Sequence, residues 1–343
     1  MTRGKTPRGE DWVRVTPAGL YIEPGDFYVD PARPVDRAVI THGHADHARP
    51  NHRAVLATPE TLAIMRARYS EAAGGSLQAL PYRQPMTLNG VTVEAVPAGH
   101  VLGAAQIVLT WQGCRVTVSG DYKRRSDPTC KPFEVVTSDV FITEATFGLP
   151  VFHHPPAEAE IARLLHIRTL NPDRAVVLGV YALGKAQRVI ALLRGAGYDR
   201  PIYVHGALQA LCQLYEDQGV RLGPLLPATG RDKAAFEGEI VLAPPSAIAD
   251  RWARRLPDPL VAAASGWMRV RQRAKQRGVE LPLIISDHAD WGELVTTIQD
   301  VQADEIWVTH GREEALVRQA ELLGLKARAL RLVGREEEGE DAA

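Results

Sequence analysis

The chain has 343 residues, of which 45% are hydrophobic and 24% are charged. This is an ordinary globular composition, and the length suits two structural units better than one. The formal net charge of −1 excludes a surface that is positive all over. Any contact with nucleic acid would therefore need a local basic patch.

Cysteine usage and hydropathy exclude further classes of protein. Cys114, Cys130 and Cys212 lie far apart and form no CxxC pair, which excludes a disulfide framework and a thiolate zinc site. We therefore expect a reducing, cytoplasmic setting. No apolar run is long enough to predict a membrane span. The polar Met1–Trp12 is expected to be a loose arm, and the acidic Arg335–Ala343 a frayed tail.

The first part of the chain predicts short strands, because apolar or β-branched runs are bounded there by Gly, Pro and Asp. The predicted strands are Leu20–Ile22, Phe27–Val29, Ala38–Ile40, Val91–Val96, Gln106–Trp111, Arg115–Val118 and Val140–Thr143. The pair Gln112–Gly113 between two of these strands is typical of a hairpin turn.

The middle of the chain alternates between strand and helix patterns. The predicted elements are Ala157–Leu170, Ala175–Tyr181, Lys185–Arg194, Ile202–Val204, Ala207–Tyr215, Ile240–Ala243 and Leu260–Ala264. This alternation is typical of βαβ units with a parallel sheet. Further strands are predicted at Leu283–Ile285 and Glu305–Val308. Since histidine follows strands both before and after this middle stretch, we predict that it is an insertion into another domain.

The strongest chemical signal is Thr41–His47, which reads THGHADH. Burying three imidazoles and a carboxylate unpaired would cost about 2–7 kcal/mol per group. This cost argues against the interpretation of these four side chains as ordinary core residues. Imidazole with carboxylate suits zinc, manganese or iron. Four such groups could close one structural zinc site. Three further candidate ligands follow along the chain, namely His100, Asp121 and His310.

These motifs resemble a known family. The spacing His-x-His-x-Asp-His, followed by Gly99–His100 and Gly120–Asp121, is similar to the metallo-β-lactamase superfamily. The resemblance implies an α/β fold, an αββα metallo-β-lactamase sandwich with an inserted α/β β-CASP cap domain. It places the metallo-β-lactamase domain at residues 1–150 and 281–343, and the cap at residues 151–280.

Other motifs resemble the β-CASP nuclease branch of that superfamily. They are the stretch Gly99–Ala105 and three residues that match the branch motifs A, B and C, namely Glu144, His288 and His310. The runs Leu20–Phe27, Ala264–Met268 and Ser286–Trp291 resemble bacterial ligase-associated DNA exonucleases. The resemblance covers about Gly19 to His310.

The resemblance implies a role for each motif residue. Seven ligands would hold two divalent metal ions. Zn²⁺ is the expected metal, and Mn²⁺ is the alternative. His42, His44 and His100 would bind one ion, Asp46, His47 and His310 the other, and Asp121 would bridge them. A water between the metals would attack the phosphodiester. Asp30 would orient a ligand histidine. His288 would protonate the leaving group, with Glu144 holding its tautomer.

The function implied is metal-dependent exonucleolytic digestion of single-stranded DNA, from 5′ to 3′, in repair beside a DNA ligase and a helicase. The alternative is an RNA-processing β-CASP ribonuclease, because a motif C histidine such as His310 accompanies RNA enzymes in the branch. A lactam or thioester hydrolase would leave Glu144 and His288 idle. A non-catalytic scaffold would have lost metal ligands, whereas every ligand position here is filled.

Contacts to the strand are predicted from charge. The stretch Arg251–Arg277 holds eight basic residues against the single acid Asp258. Such a patch would suit the phosphates of a nucleic acid, although basic helix faces are usually only solvated. The candidate nucleic-acid-binding residues are Lys185, Arg188, Trp267, Arg269, Arg271 and Arg273, with Trp267 as a stacking platform.

Overall fold

The computed structural model describes residues 6–249 and 252–332. The described chain divides into two compact units. Of the described residues, the first unit comprises those within 6–152 and 288–332, and the second comprises those within 153–287. No helix among the described residues is long and apolar enough to cross a membrane. The predicted acidic tail, Arg335–Ala343, lies outside the described residues.

The elements follow in chain order. The first are β1 (Val13–Thr16), β2 (Gly19–Ile22), β3 (Phe27–Val29), β4 (Arg37–Val39), β5 (Ala54–Ala57), α1 (Pro59–Tyr69), β6 (Ser76–Ala79), β7 (Met86–Leu88), β8 (Val91–Pro97), β9 (Ala105–Trp111), β10 (Cys114–Val118) and β11 (Val140–Ala145). The second unit contains α2 (Ala157–Leu170), β12 (Val176–Gly179), α3 (Lys185–Gly195), β13 (Ile202–Val204), α4 (Gly206–Asp217), β14 (Leu225–Pro227), β15 (Ile240–Ala243), α5 (Pro245–Ala249), β16 (Leu260–Ala264), α6 (Arg271–Gln276) and β17 (Leu281–Leu283). The first unit resumes with α7 (Trp291–Asp300), β18 (Glu305–Gly311), α8 (Glu313–Leu322) and β19 (Lys326–Ala329).

The first unit is a sandwich of two sheets. One sheet has the strand order β1-β2-β3-β4-β5-β6, and the other β19-β18-β11-β10-β9-β8-β7. Alternate residues of a strand point to opposite faces. Val39 and Ile142 accordingly lie in the core between the sheets. Their neighbours Ile40 and Phe141 face outward instead, against helices.

Helices cover both outer faces of this sandwich. Leu62 and Met65 of α1 pack on the outer face of the first sheet. Leu294 of α7 and Leu316 of α8 pack on the outer face of the second sheet. The layers are therefore helix, sheet, sheet and helix, which is the α/β sandwich predicted from the sequence.

The second unit is built on a parallel sheet with the strand order β14-β13-β15-β12-β16-β17. Strands buried on both faces read as continuous apolar runs. Ile240–Ala243 is such a run, and all four of its residues are buried. The parallel sheet predicted for the middle of the chain is confirmed. The identity of this unit as a β-CASP cap stays a prediction.

Two sequence predictions differ from the structure. The strand predicted at Leu283–Ile285 is Leu281–Leu283. Pro282 made that stretch a poor strand candidate, but it is tolerated because β17 is an edge strand and pairs only with β16. The loose arm predicted for Met1–Trp12 is wrong in its described part, since Trp12 is buried in the sandwich core. Its first residues, Met1–Lys5, lie outside the described residues.

Candidate metal centre

Strand ends gather the candidate ligands at one edge of the sandwich. In the second sheet, β10, β11 and β18 run parallel, and β8 is antiparallel to β9, which is antiparallel to β10. The carboxyl ends of β8, β10, β11 and β18 therefore share an edge, and this is where polar sites collect in such sheets. His100, Asp121, Glu144 and His310 lie at these ends. In the first sheet, Thr41–His47 follows β4.

The first group consists of His42, His44, His100 and Asp121, whose potential ligand atoms lie within 4.8 Å of one another. Nε2 of His42 lies 3.2 Å from Nδ1 of His44, and Nε2 of His100 lies 3.0 Å from the same atom. All four residues are buried. Burial, together with the neighbouring His47, lowers the pKa of His42 well below its ordinary value. A neutral imidazole of this kind is the form that binds a metal ion.

The second group consists of Asp46, His47 and His310. Nε2 of His47 lies 3.3 Å from Oδ2 of Asp46, and the rings of His47 and His310 have centroids 5.5 Å apart. Burial by itself would lower the pKa of His47. The carboxylates of Asp121 and Asp46 outweigh burial and raise that pKa well above its ordinary value. The group thus brings anionic oxygen to imidazole nitrogen, which suits a divalent cation.

Asp121 lies between the two groups. Its Oδ2 is 3.4 Å from Nε2 of His42 and 3.4 Å from Nε2 of His47. Burial alone would raise the pKa of Asp121, but His47 and His310 hold it well below its ordinary value, so the carboxylate is ionised.

The residues fit a metal centre in a further respect. The other oxygen of Asp121, Oδ1, is buried and accepts no hydrogen bond from any residue that the structure describes. A buried carboxylate oxygen without a partner is costly, and a cation would satisfy it. The seven side chains predicted as ligands therefore lie in two groups, and Oδ2 of Asp121 in the first group is 3.4 Å from Nε2 of His47 in the second.

Asp30 contacts His47 of the second group and the neighbouring residue Thr41. Its Oδ2 lies 2.8 Å from Nδ1 of His47 and accepts a hydrogen bond of 2.6 Å from the hydroxyl of Thr41. Its Oδ1 accepts the backbone N–H of Thr41 at 2.7 Å. Asp30 thus binds His47 on the ring nitrogen that faces away from Asp121, as expected of a residue that orients a metal ligand.

Glu144 and His288 form a pair beside Asp121. Nδ1 of His288 lies 3.1 Å from Oε2 and 3.2 Å from Oε1 of Glu144, and 3.9 Å from Oδ2 of Asp121. Oε1 of Glu144 also accepts the backbone N–H of Tyr122 at 2.8 Å. The carboxylate therefore fixes the ring of His288 and the backbone next to Asp121 at once.

Sequence reasoning missed several residues that surround the site. Thr41, Lys123 and Glu293 are absent from the predicted set, yet all three contact the segments that carry it. Glu293 carried a signal, because Asp290 three residues before it forms a capping-box pattern. Thr41 and Lys123 are single polar residues beside a motif, and their sequence gives no sign of burial.

Two residues predicted to contact nucleic acid, Lys185 and Arg188, are buried. The side chains of Lys185 and Arg188 are 1% and 3% exposed. Nζ of Lys185 donates to the carbonyl of Ile285 at 3.0 Å and lies 3.2 Å from Oδ2 of Asp287. Arg188 donates to the carbonyl of Ser286. Within the second unit these cations hold the 285–287 segment, so their geometry supports a structural role in place of strand contact.

The remaining predicted contacts lie in and before α6. Trp267 is buried, and the guanidinium carbon of Arg273 lies 4.2 Å from the centroid of its ring. A buried ring stacked by arginine does not offer the open platform that was predicted for a base. Arg269 and Arg271 are exposed and Arg273 is half-buried. Arg251, which belongs to the predicted basic stretch, lies outside the described residues.

Comparison with known proteins finds a match to one superfamily. A model of the metallo-β-lactamase superfamily matches residues 29–180, which include all of the predicted ligands except His310. The chain carries a metallo-β-lactamase domain. This superfamily uses divalent metals, in agreement with the two ligand groups. The solved structure of a protein of unknown function from Enterococcus faecalis V583 has the same fold, with a TM-score of 0.57 at 14% identity over 88% of this chain and 80% of that chain.

Relatives of this chain carry names from nucleic-acid enzymology. It is 29% identical to a probable DNA ligase of Opitutus terrae over 91% of this chain and 30% of that protein. It is 34% identical to endoribonuclease YSH1 of Gibberella zeae over 40% of this chain and 18% of that protein. The chain therefore spans less than a third of the length of either relative. These similarities are consistent with the β-CASP branch.

Proposed function

We propose that the chain is a metal-dependent phosphodiesterase that degrades nucleic acid. The observation that carries the proposal is the position of Asp121. Its Oδ2 lies 3.4 Å from a histidine of each ligand group and 3.9 Å from His288, which is itself paired with Glu144. A carboxylate shared by two cation sites next to a potential proton donor is the arrangement that phosphodiester hydrolysis needs.

In this proposal His42, His44 and His100 would hold one divalent ion, Asp46, His47 and His310 would hold the other, and Asp121 would contribute to both. Two such ions supply Lewis-acid activation of water and of the phosphoryl oxygens. We favour Zn²⁺, with Mn²⁺ as the alternative, because the ligands combine imidazole and carboxylate. His288 delivers a proton to the leaving oxygen, and Glu144 accepts its Nδ1–H so that Nε2 faces the substrate.

We favour DNA as the substrate, digested exonucleolytically from 5′ to 3′ as a single strand during repair. Similarity to a protein named as a probable DNA ligase extends over 91% of this chain and supports this choice. Association with a ligase and a helicase belongs to the same proposal. RNA cleavage is the alternative, and the 34% identity to an endoribonuclease over 40% of this chain favours it.

We also propose that the second unit, His153–Asp287, is the inserted β-CASP cap. It interrupts the metallo-β-lactamase sandwich in sequence and has its own parallel sheet. The motif B histidine, His288, follows its last residue directly.

One assay tests the function. End-labelled single-stranded DNA and RNA of the same sequence are incubated with metal-free protein and with added Zn²⁺ or Mn²⁺. We expect metal-dependent shortening of DNA from the 5′ end and slower attack on RNA. Faster attack on RNA would replace the favoured substrate by the alternative.

A variant connects that activity to the proposed centre. Asp121→Ala should abolish cleavage and lower the bound metal, because one carboxylate serves both groups. Asp36→Ala, at an aspartate whose side chain is 84% exposed, is the matched control and should behave as wild type. Normal cleavage by the Asp121 variant would overturn the dinuclear proposal.

A further inference from the structure

Two backbone segments of the first unit are joined beside the metal centre. One is Tyr122–Arg125, which follows Asp121, and the other is His288–Glu293, which leads into α7. The backbone N–H of Ala289 donates to the carbonyl of Tyr122 at 2.6 Å. Nζ of Lys123 lies 3.4 Å from the carbonyl of His288, to which it donates. The segment that carries the proton donor is thus bound to the segment that carries the shared ligand.

Glu293 makes most of the remaining contacts between these segments. Its Oε2 accepts the backbone N–H of Asp290 at 3.1 Å. In turn, Oδ1 of Asp290 accepts the backbone N–H of Glu293 at 3.0 Å. This reciprocal pair is an ordinary capping box, which satisfies the free N–H groups of a helix end. A capping box uses one carboxylate oxygen of Glu293 and leaves the other free for a different partner.

The second oxygen of Glu293 reaches across to the other segment. Oε1 accepts the backbone N–H of Arg125 at 2.8 Å and of Arg124 at 3.2 Å. The side chain of Glu293 is only 10% exposed, and Nζ of Lys123 lies 3.9 Å from Oε2. One buried carboxylate therefore accepts three backbone N–H groups from two segments, and a buried lysine neutralises part of its charge. Hydrogen bonds of this charge-assisted kind are strong and directional.

We propose that Glu293 is a positioning residue that sets the place of His288 relative to Asp121. The proposal rests on the phosphodiesterase function proposed above. Glu293 touches neither metal ligands nor His288 itself. It acts through the backbone on both sides, since His288 lies two residues before the cap Asp290 and Asp121 lies three residues before Arg124.

The carboxylate is required because both of its oxygens accept. In Glu293→Gln the amide nitrogen donates and cannot accept an N–H, so the variant keeps the bonds to one segment and loses those to the other. The side-chain volume is nearly unchanged, and the sandwich core is untouched. The variant is therefore expected to fold, with the two segments held together only by their remaining bonds, such as those from Ala289 to Tyr122 and from Lys123 to His288.

The first test measures the coupling without activity. Hydrogen exchange of the metal-free protein is followed by mass spectrometry in peptides that cover Tyr122–Arg125. Glu293→Gln should raise exchange at the amides of Arg124 and Arg125. Glu239→Gln is the matched control, because Glu239 is a buried carboxylate of the second unit that pairs with Arg200 and Tyr198. Exchange at Arg124 and Arg125 that stays at the wild-type rate in Glu293→Gln and in Glu293→Ala would overturn the proposal.

The second test separates positioning from general destabilisation. On DNA, Glu293→Gln should lower kcat/KM on the order of 10–100-fold, as is usual for residues that orient a functional group. A nitrophenyl phosphodiester needs no protonation of its leaving group and should be cleaved at nearly the wild-type rate. In a His288→Ala background, adding Glu293→Gln should cost less than about twofold more, because residues that act as one unit are not additive. Metal content should stay at the wild-type value.

Other outcomes of these tests would contradict the positioning role of Glu293. Equal losses on both substrates, or loss of bound metal, would mean that Glu293 supports the ligands and does not act through His288. Independent losses in the double variant would also overturn the proposal. If the wild-type protein cleaves no phosphodiester with any metal, the proposed function fails, whereas the exchange measurement still reports on the coupling.

Discussion

Oδ2 of Asp30 lies 2.8 Å from Nδ1 of His47, although 17 residues separate them in the chain. When His47 is neutral, this pairing would keep its proton on Nδ1 and leave the lone pair of Nε2 for a metal. Both oxygens of Asp30 also hold Thr41, at 2.6 and 2.7 Å. One buried aspartate thus contacts a candidate ligand and anchors the loop on which four candidate ligands lie.

Asp30→Asn should weaken metal binding at the second group about 10–100-fold, since an amide can donate to Nδ1 and favour the wrong tautomer. Zinc titration of the metal-free protein by calorimetry measures this. Asp26→Asn is the control, because Asp26 lies in the turn before β3 with an exposed side chain. Two sites of wild-type affinity in Asp30→Asn would contradict the role assigned to this carboxylate.

The part of the candidate site that could be predicted from the sequence consists of local motifs at strand ends. The seven candidate ligands were predicted because their motifs resemble a known family, and the topology brings these local motifs to one edge. Glu293 and Lys123 contact the site through backbone carbonyls and N–H groups 165 or more residues away. Such contacts leave no spacing in the sequence, so they could not be predicted.

Gly120 allows the shared carboxylate to approach the histidine loop. Its φ is +56°, and an added Cβ would lie 2.7 Å from Cβ of Thr41. Gly120→Ala should therefore displace Asp121 and lower both the bound metal and the melting temperature. Gly90→Ala separates the two causes, because Gly90 has a φ of +84° with nothing within 4 Å.

The control should show only the backbone cost, roughly 1–2 kcal/mol for a left-handed residue with a side chain. Gly120→Ala should exceed that cost and lose metal, as measured by urea unfolding and elemental analysis. Equal destabilisation of the two variants with full metal content would show that Thr41 yields without moving Asp121.

His52 should make stability depend on pH. Burial lowers the pKa of its imidazole to about 4 from an ordinary 6.5, and Asp30 offsets this effect only in part. The unfolded chain therefore binds a proton at a higher pH than the folded chain. The free energy of unfolding should be greatest above about pH 6.5 and should decrease progressively as the pH falls towards 4.

His52→Asn isolates this contribution, because its amide oxygen can still accept the N–H of Val35 that Nδ1 accepts at 3.2 Å. Urea unfolding at a series of pH values should show a shallower decrease for the variant than for wild type. His166→Asn, at an exposed position, should leave the decrease unchanged. Parallel curves for wild type and His52→Asn would show that His52 does not titrate in this range.

Lys185 and Arg188 show where charge alone misleads. Their position after a strand, next to glycine, is equally typical of a phosphate-binding turn and of a buried ion pair. The structure has both side chains buried beside Asp287. The position of Asp287, about 100 residues further along the chain, decides between a phosphate-binding turn and a buried ion pair. A local sequence pattern cannot predict a pairing between residues so far apart.

The exposed cations of α6 are the remaining candidates for strand contact. Arg271 is exposed, and Arg273 lies over the ring of Trp267 and is half-buried. If this face binds phosphates, Arg271→Glu with Arg273→Glu should weaken binding of long single-stranded DNA. Each lost contact should lower the log–log salt slope by roughly 0.7, because fewer counterions are released. Fluorescence anisotropy between low and moderate salt measures both quantities.

A second double reversal controls for net charge. Arg53→Glu with Arg318→Glu changes the charge by the same amount at side chains that are 82% and 68% exposed in the first unit. It should weaken binding only slightly and leave the salt slope unchanged, since long-range charge is screened beyond about 10 Å at 0.1 M salt. Cleavage of a nitrophenyl ester, which carries no phosphate other than the scissile one, should be unaffected in both variants. Equal effects of the two reversals on DNA binding would show that α6 is an ordinary solvated face.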